Sequence, residues 1–371
     1  MRTRISTVLA LVLTAGLMTP SATLGQRQVR PTRLQDLPRG LTEAQVRAHV
    51  IAPEHTRNIQ IEEVDPKREV IYRIRAVPKR FRAIPHLDVA AFGASVHAAL
   101  KDNAVGYILQ VRQNGQLIHI GIWNWSQMPV DANQGWTEDT RMNVGSVSKF
   151  LTAVGLVKLL DANGISYGAK IIDYLPTYWT KGPNIDQITF RHLMTHRSGF
   201  STGKSSSDYV FMKDRVAAGV AGVGGYDYEN MNFGLCRILM PIINGDISKA
   251  TNVPFPPLDR DVGWDAVTLH SYRDYMQANV FTPAGVSDVG FAPPPIGQNA
   301  LAYPFPPANK TGWNSGDLAT MAGGAGWRLS CKELLNVLDH VRRRNTIISA
   351  QKAQYLLDNY LGIDQIISTP A

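Results

Sequence analysis

The sequence predicts an α/β protein of the α+β type, with helices and an antiparallel sheet in separate stretches of the chain. Residues 105–123 form two apolar, β-branched runs around Asn114-Gly115, a dipeptide that favours a tight hairpin turn. Residues 89–100 have the spacing of an amphipathic helix, and a second helical run follows Ser146 and stops at Asn163-Gly164. The hydrophobic content of 44% and the charged content of 18% are those of a globular protein.

The first 25 residues have the features of a secretory signal peptide. Arg2 and Arg4 precede an apolar run from Ile5 to Met18, and small residues lead to a cleavage position after Gly25. The apolar run is too short to span a bilayer comfortably, and an uncleaved anchor is the alternative. We therefore expect a secreted or periplasmic protein with no stable membrane insertion after signal cleavage.

The net charge of +8 belongs to the beginning of the chain. Residues 26–86 hold 13 basic and 7 acidic side chains, whereas the residues after 86 hold 23 of each kind. We interpret 26–86 as a basic N-terminal extension, with a short helix near 42–50 and a strand over 70–75, and its purpose stays open. Its charge favours a solvated face or contact with an anionic envelope surface. The sequence has neither a basic face interleaved with aromatic residues nor a reader fold, so we predict no nucleic-acid partner.

Later segments alternate between helices and loops. Loops rich in Gly, Ser and Pro fill 199–227 and 252–262. Cys236 and Cys331 lie in apolar helical sequence, which favours core thiols over the single disulfide that two cysteines would allow. The predicted later helices are Arg191–Thr195, Asn232–Ile242, 271–281 and 330–343.

Three Ser-x-x-Lys patterns occur, and one of them has the context of a reactive serine. Helical residues three apart share a face, and a buried amine with a lowered pKa can take the proton of a nearby hydroxyl. Ser146 and Lys149 follow a glycine and open an apolar helix, whose positive dipole end favours developing negative charge. Ser201…Lys204 lies in loop sequence, and Ser349…Lys352 looks like an ordinary first helical turn. We therefore predict Ser146 as the nucleophile.

Tyr228-Glu229-Asn230 is the only Tyr-x-Asn sequence in the chain. Taken alone, it is better explained by a buried tyrosine whose hydroxyl is satisfied in front of a helix. If Tyr228 lies beside Lys149 in a closed site, desolvation and shared hydrogen bonding would lower the pKa of both groups. One of them would then accept the proton of Ser146.

Four separated stretches together resemble a known family. They are Gly145–Leu151, Ile188–Gly199, Tyr228–Asn230 and Tyr275–Gly285, followed by Gly323-Gly324 and a helix from Ser330. Their order resembles that of the serine β-lactamases and penicillin-binding proteins, most closely the class C β-lactamase-related esterases and peptidases. The resemblance covers about residues 87–371, and it gives a signal peptide at 1–25, an extension at 26–86 and a hydrolase domain at 87–371.

The resemblance implies a fold, an activity and roles for residues. The fold would be an antiparallel sheet flanked by helices, with a mostly helical subdomain. The activity would be acyl transfer from an ester, amide or lactam to Ser146, with Lys149 and Tyr228 sharing the proton work and Asn230 orienting the substrate. No cofactor is implied, and the partner would be a small-molecule or peptide acyl substrate. The choice among lactam, D-peptide and simple ester stays open, as does the oligomeric state.

The family's third motif is the weak point of the resemblance. It is a late strand carrying Lys-Thr-Gly or His-x-Gly, and this sequence stops at Ala371 where that strand is expected to begin. We therefore expect a sheet that is incomplete at the C-terminus, and a non-catalytic binding or assembly protein, or an inactive fragment, is the alternative function. Lys310-Thr311-Gly312 spells the motif but lies among prolines, in loop composition.

Two further features have competing interpretations. His192 and His196 are four residues apart and would share a face, but no glutamate or third ligand accompanies them, so we predict a structural role and no metal site. The loops 199–227 and 252–264 are expected to form substrate-binding walls. The expected lining residues are Tyr209, Phe211, Tyr226 and Trp264.

Overall fold

The computed structural model describes residues 59–65, 69–74, 88–203, 206–251, 259–295, 298–308 and 310–364. The predicted signal peptide, the helix near 42–50, the domain boundaries at 25 and 86 and the residues after 364 lie outside the described residues. The chain divides into two compact units. The sheet unit holds the described residues of Met1–Met142, Pro294–Asn314 and Ser330–Leu335, and the helical unit holds those of Asn143–Pro293, Ser315–Leu329 and Asn336–Ala371.

The sheet unit contains a helix and two antiparallel sheets. In chain order its elements are β1 (Ile59–Asp65), β2 (Glu69–Ile74), α1 (Val89–Leu100), β3 (Gly106–Gln113), β4 (Gln116–Gln127) and β5 (Gln134–Gly135). β1 pairs with β2, and the second sheet has the order β3-β4-β5. Asn114 and Gly115 turn the β3–β4 hairpin with positive φ angles of 53° and 77°, as a tight primed turn requires. The predicted helix and hairpin are confirmed.

α1 packs against the hairpin through aromatic side chains. His97 Nδ1 lies 3.2 Å from the Tyr107 hydroxyl, and the His97 ring lies edge-on to Trp123 at 5.8 Å. A Cβ on Gly93 would come within 2.6 Å of the His119 ring, so α1 approaches β4 at a point where no side chain fits. The helix therefore covers one face of the sheet.

The helical unit is built around α2. The α-helices and strands that follow in chain order are β6 (Met142–Asn143), α2 (Val147–Ala162), α3 (Phe190–Met194), α4 (Tyr209–Ala218), α5 (Asn230–Asn244), α6 (Arg260–Met276), β7 (Arg328–Leu329), α7 (Cys331–Arg342) and α8 (Ala350–Asp358), of which β6 and α7 cross the boundary between the two units. Most of α2 is buried, including Leu151, Val154 and Leu160. A Cβ on Gly155 would lie 2.4 Å from Met276 Sδ and 3.4 Å from Met240 Cε, so α5 and α6 close tightly on α2. This packing fixes the helix that carries the Ser-x-x-Lys pattern.

Several predicted boundaries shift. α2 ends where Asn163-Gly164 predicts, but α6 begins at Arg260 because the Asp259 side chain accepts a hydrogen bond from Asp261 N at 2.7 Å. A π-helical turn then continues α6 to Phe281. Cys236 and Cys331 are free thiols. Within the described ranges, every helix is too short or too polar to cross a membrane.

Candidate active site

Ser146 lies at the N-cap of α2 with its side chain exposed. Gly145, with a φ of 53°, makes the turn before it, and Asn143 Oδ1 accepts from Gly145 N at 3.2 Å. Val144 N donates to Trp327 O at 3.0 Å, which anchors the same turn to the segment before β7. The Ser146 side chain makes no capping hydrogen bond, so its hydroxyl points toward other groups.

Lys149 supplies the buried amine of the cluster. Its side chain is 2% exposed, and Nζ donates to Ser146 Oγ at 3.1 Å. Nζ also donates to Asn230 Oδ1 at 2.8 Å and to Gly324 O at 2.9 Å. All three acceptors are uncharged, and burial lowers the pKa of Lys149 to about 7, although the charge of Asp364 acts in the opposite direction. An amine with that pKa can accept a proton at neutral pH.

Tyr228 completes the cluster. Its hydroxyl is in close contact with Ser146 Oγ, and Lys149 Nζ lies 4.7 Å from the centre of its ring. The structure therefore brings together the serine, lysine and tyrosine that the sequence singles out.

The expectation that both pKa values fall is wrong for Tyr228. Burial raises the pKa of its phenol, and the hydrogen bond with Ser146 opposes this only in part. Desolvation disfavours the charged form of each group. The charged form of lysine is the protonated ammonium, whereas that of tyrosine is the deprotonated phenolate. The environment thus shifts the lysine toward its neutral form near pH 7 and keeps the tyrosine protonated.

Asn230 contacts the lysine directly. Because Oδ1 accepts from Lys149 Nζ, the amide helps to fix the amine against Ser146. Its predicted role in orienting substrate stays a prediction. The middle residue of the same motif, Glu229, is fully buried and accepts hydrogen bonds from both the backbone N and the hydroxyl of Thr202. Glu229 therefore fastens the loop that follows Ser198.

The Gly324 carbonyl, which accepts from Lys149, is positioned by a chain of hydrogen-bonded hydroxyls that the sequence did not reveal. Trp327 Nε1 donates to the Tyr272 hydroxyl at 3.2 Å, and that hydroxyl lies 2.7 Å from Thr152 Oγ1. Thr152 in turn donates to Gly323 O at 2.7 Å. This chain holds the Gly323-Gly324 backbone so that the carbonyl of Gly324 faces the amine.

Two of the four residues expected to line the binding walls are buried. Tyr209 is 1% exposed and Trp264 is 0% exposed, so both belong to the core and the prediction that they line a substrate site is wrong. The core accommodates the Tyr209 hydroxyl because it lies 2.7 Å from the Tyr178 hydroxyl and accepts from Trp179 Nε1 at 3.1 Å. Tyr226, in contrast, is 40% exposed and its hydroxyl contacts the Asp364 carboxylate.

The other Ser-x-x-Lys patterns have structural explanations. Ser349 Oγ caps α8 by accepting from Lys352 N at 3.3 Å, and Lys352 Nζ pairs with Asp161 at 2.8 Å. Ser201 lies in a loop, and Lys204 is outside the described residues. Lys310-Thr311-Gly312 is loop, as expected, and belongs to the sheet unit, where Gly312 N donates to Asp131 at 2.9 Å.

The two histidines have separate surroundings. His192 completes the capping box of α3, with Nδ1 accepting from Thr189 N at 3.3 Å. His196 stacks on the ring of Tyr228, with the ring centres 4.4 Å apart. Among the residues that the structure describes, no group of three His, Cys, Asp or Glu side chains could hold a metal ion.

Part of this chain is similar to known proteins. Residues 89–240 match the family model described as Beta-lactamase. The esterase/β-lactamase LipL of Mycobacterium tuberculosis is 32% identical over 106 residues, which are 27% of this chain and 24% of LipL. The teichoic acid D-alanine hydrolase of Staphylococcus aureus is 34% identical over 82 residues, which are 22% of this chain and 20% of that protein. The chain thus spans a quarter or less of these curated relatives.

A solved structure shows the same fold. The class C β-lactamase of Rhodobacter sphaeroides superposes on 72% of this chain and 68% of its own, with a TM-score of 0.52 and 20% identity. The mixture of helices and antiparallel sheets that the sequence predicts is confirmed. The matched segment includes Ser146, Lys149 and the Tyr228–Asn230 motif. Residues 89–240 of this chain are therefore similar to the β-lactamase/transpeptidase-like family, and the chain has the fold of that family.

Proposed function

We propose that this chain cleaves an ester, amide or lactam through a covalent acyl ester on Ser146. One observation carries the proposal: the exposed Ser146 hydroxyl lies 3.1 Å from a lysine amine whose pKa is lowered to about 7. At pH 7 about half of such amines are unprotonated, compared with about one in 3,000 at the ordinary pKa of 10.5. The site thus holds a nucleophile and a competent base in contact.

The reaction follows from these contacts. Lys149 takes the proton of Ser146 as Oγ bonds to the carbonyl carbon and the carbonyl π electrons move to oxygen. The bond to the leaving group breaks as the Tyr228 hydroxyl gives it a proton, and Lys149 reprotonates Tyr228. Water then attacks the acyl ester by the same route, which releases the acid and restores Ser146. The backbone N–H of Ser146, at the start of α2, supplies one donor to the oxyanion.

Two further statements belong to this proposal. Because one relative is named as an esterase/β-lactamase and another as a D-alanine hydrolase, carboxylic esters are the first substrates to test. We also propose that the protein is secreted or periplasmic, on the basis of Arg2, Arg4 and the apolar run to Met18.

A covalent probe tests the mechanism. The purified chain is treated with a fluorophosphonate, and the label is located by mass spectrometry of peptides. We expect the label on Ser146 and its loss in Ser146→Ala. We expect labelling at least 10³-fold slower in Lys149→Met, because the general base is lost. Ser349→Ala is the matched control, since it removes another Ser-x-x-Lys serine, and it should label at the normal rate.

Equal labelling of the wild type and a folded Ser146→Ala variant would refute the mechanism. A folded wild type that neither labels nor hydrolyses p-nitrophenyl acetate would favour the alternative, a non-catalytic binding or assembly protein. Reporter fusions to residues 1–25 and to the same segment with Arg2 and Arg4 changed to glutamate test export. Equal retention of both fusions in the cytoplasm would contradict it.

A further inference from the structure

His196 is held against Tyr228 by groups outside the serine, lysine and tyrosine cluster. It is 2% exposed and follows α3 with a φ of 56°, and its carbonyl accepts from Asp227 N at 2.9 Å. Its ring stacks on that of Tyr228 at 4.4 Å, with 29° between the planes. Phe233 packs beside the same ring at 5.3 Å. The imidazole therefore forms a buried wall behind the phenol that contacts Ser146.

A directional chain of hydrogen bonds fixes the imidazole. Ser198 Oγ accepts from Phe200 N at 3.3 Å and donates to Asn232 Oδ1 at 2.6 Å. Because the Asn232 oxygen is used in this way, its NH2 group faces His196, with Nδ2 at 3.2 Å from Nδ1.

The same ring nitrogen receives a second donor. Glu229 N lies 3.1 Å from His196 Nδ1. With two donors directed at it, Nδ1 acts as an acceptor, which assigns the neutral tautomer with the proton on Nε2. Because Glu229 follows Tyr228 directly, His196 holds both the backbone next to the tyrosine and the face of its ring.

We propose that His196 is the positioning residue for Tyr228, and that the Ser198–Asn232 pair sets its orientation. This inference rests on the proposed function, because it matters only if the Tyr228 hydroxyl transfers protons at Ser146. The rate of a proton transfer depends steeply on distance and angle, and a displacement of about 1 Å in an active site can lower the rate by about 10²-fold. A planar wall on one face of the phenol, fixed through Nδ1, limits the displacements that would move Oη away from Ser146 Oγ.

A neutral ring also suits this place better than a charged one. Protonation of Nδ1 would direct an N–H at the donors from Glu229 and Asn232 and would break both hydrogen bonds. An imidazolium stacked on the ring of Tyr228 would also add a positive charge beside the phenol and would lower its pKa. His196 is thus built to hold Tyr228 in place without entering the proton transfer.

A double-mutant cycle tests the assignment. His196→Asn removes the ring but keeps an acceptor near the Nδ1 position and a residue that tolerates positive φ. It is combined with Tyr228→Phe. We then measure the rate at which the fluorophosphonate labels Ser146, kcat and KM for p-nitrophenyl acetate, and the thermal midpoint. His192→Gln is the control, because it keeps the capping-box acceptor of α3. His196→Phe is the second variant, because it keeps a ring and loses only the acceptor.

We expect His196→Asn to lower kcat and the labelling rate by about 10- to 100-fold with KM within twofold. In the Tyr228→Phe background the same change should cost less than threefold, because the hydroxyl being positioned is gone. His196→Phe should lose less than His196→Asn, because the ring stacked on Tyr228 is kept, and His192→Gln should behave as the wild type.

Equal losses in both backgrounds, or a loss that tracks only the thermal midpoint, would overturn the inference. So would a folded His196→Asn variant with the wild-type rate. In that case Ser146 would still be labelled, and the proposed function would stand without this role for His196. If Ser146 of the wild type is never acylated, the proposed function and this inference fall together.

Discussion

Replacing Asn230 by aspartate would place a carboxylate on the lysine that we propose as the base. Asn230 Oδ1 accepts from Lys149 Nζ at 2.8 Å, and the change preserves the shape of the side chain. In the wild type, burial lowers the pKa of Lys149 to about 7, and the three acceptors on Nζ are neutral. A negative charge at this distance favours the ammonium and raises the pKa of Lys149.

The size of the effect follows from the unprotonated fraction of the amine. An opposite charge within about 4–6 Å shifts a pKa by roughly 1–3 units, which would move Lys149 from about 7 to about 8–10. At pH 7 the unprotonated fraction would fall from about one half to between about one tenth and one thousandth. The rate at pH 7 should therefore fall by about 5- to 500-fold.

The assay is the pH dependence of Ser146 acylation between pH 5.5 and 10. For the wild type, the rate should rise about tenfold between pH 6 and pH 8 and then level, because only the unprotonated amine accepts a proton. For Asn230→Asp, the midpoint should move up and much of the rate should return at high pH. Asn230→Ala is the control, since it removes the acceptor without adding charge, and its midpoint should not rise.

If the rate of Asn230→Asp stays low at pH 10 and the midpoint of its pH profile does not move, Asn230 acts on the substrate alone. A wild-type profile without a limb near pH 7 would refute the assignment of Lys149 as the base. These two results are distinguishable because the second requires no variant.

Three other changes should have measurable effects. The lowered pKa of about 7 means that the folded protein carries an unfavourable buried ammonium at Lys149 at or below pH 7, and this cost falls as the pH rises above 7. Lys149→Met removes the cost, so its unfolding free energy should exceed that of the wild type most at or below pH 7. Chemical denaturation should show that this excess is roughly 3 kcal/mol smaller at pH 9.5. In the sheet unit, burial raises the pKa of Glu138 to about 7, so its contribution to stability is complete below pH 4.5 and is lost as the pH rises through 7. Glu138→Gln should therefore raise the unfolding free energy by up to roughly 3 kcal/mol at pH 8 and change it little at pH 4.5. The same difference from the wild type at both pH values would contradict this. Tyr272→Phe should slow acylation about tenfold by loosening the Gly324 carbonyl, whereas Tyr275→Phe, which removes a hydroxyl from the same helix, should not.

Local sequence predicted the parts of the fold that depend on local physics. The Asn114-Gly115 turn, helix α1 and the end of α2 at Asn163-Gly164 follow from turn chemistry and periodicity. The spacing of Ser146 and Lys149 also predicted their contact, because residues three apart on a helix share a face. The adjacency of Tyr228 came from the family resemblance, since no local pattern connects positions so far apart in the chain.

The features that sequence reasoning missed all require distant segments to meet. Thr152, Tyr272 and Gly323 lie on different elements, and their hydroxyl chain leaves no periodic signal. Tyr209 was misassigned as a binding-wall residue because it lies in Gly- and Ser-rich sequence, although Asp208 caps α4 at that point and the Tyr209 side chain is buried. His196 was recognised only as a histidine of structural role, because its stacking partner lies beyond a long loop.

Burial alone can assign different tasks to Lys149 and Tyr228. Both groups leave water, and desolvation disfavours the charged form of each. For Lys149, desolvation lowers the pKa to about 7, so the amine can accept a proton near neutral pH. For Tyr228, desolvation raises the pKa, so the phenol keeps its proton. Because Ser146 Oγ contacts both groups, its proton has an acceptor on one side while a donor faces it from the other. A carboxylate paired with Lys149 would abolish this difference, and the neutral acceptors from Asn230 and Gly324 preserve it.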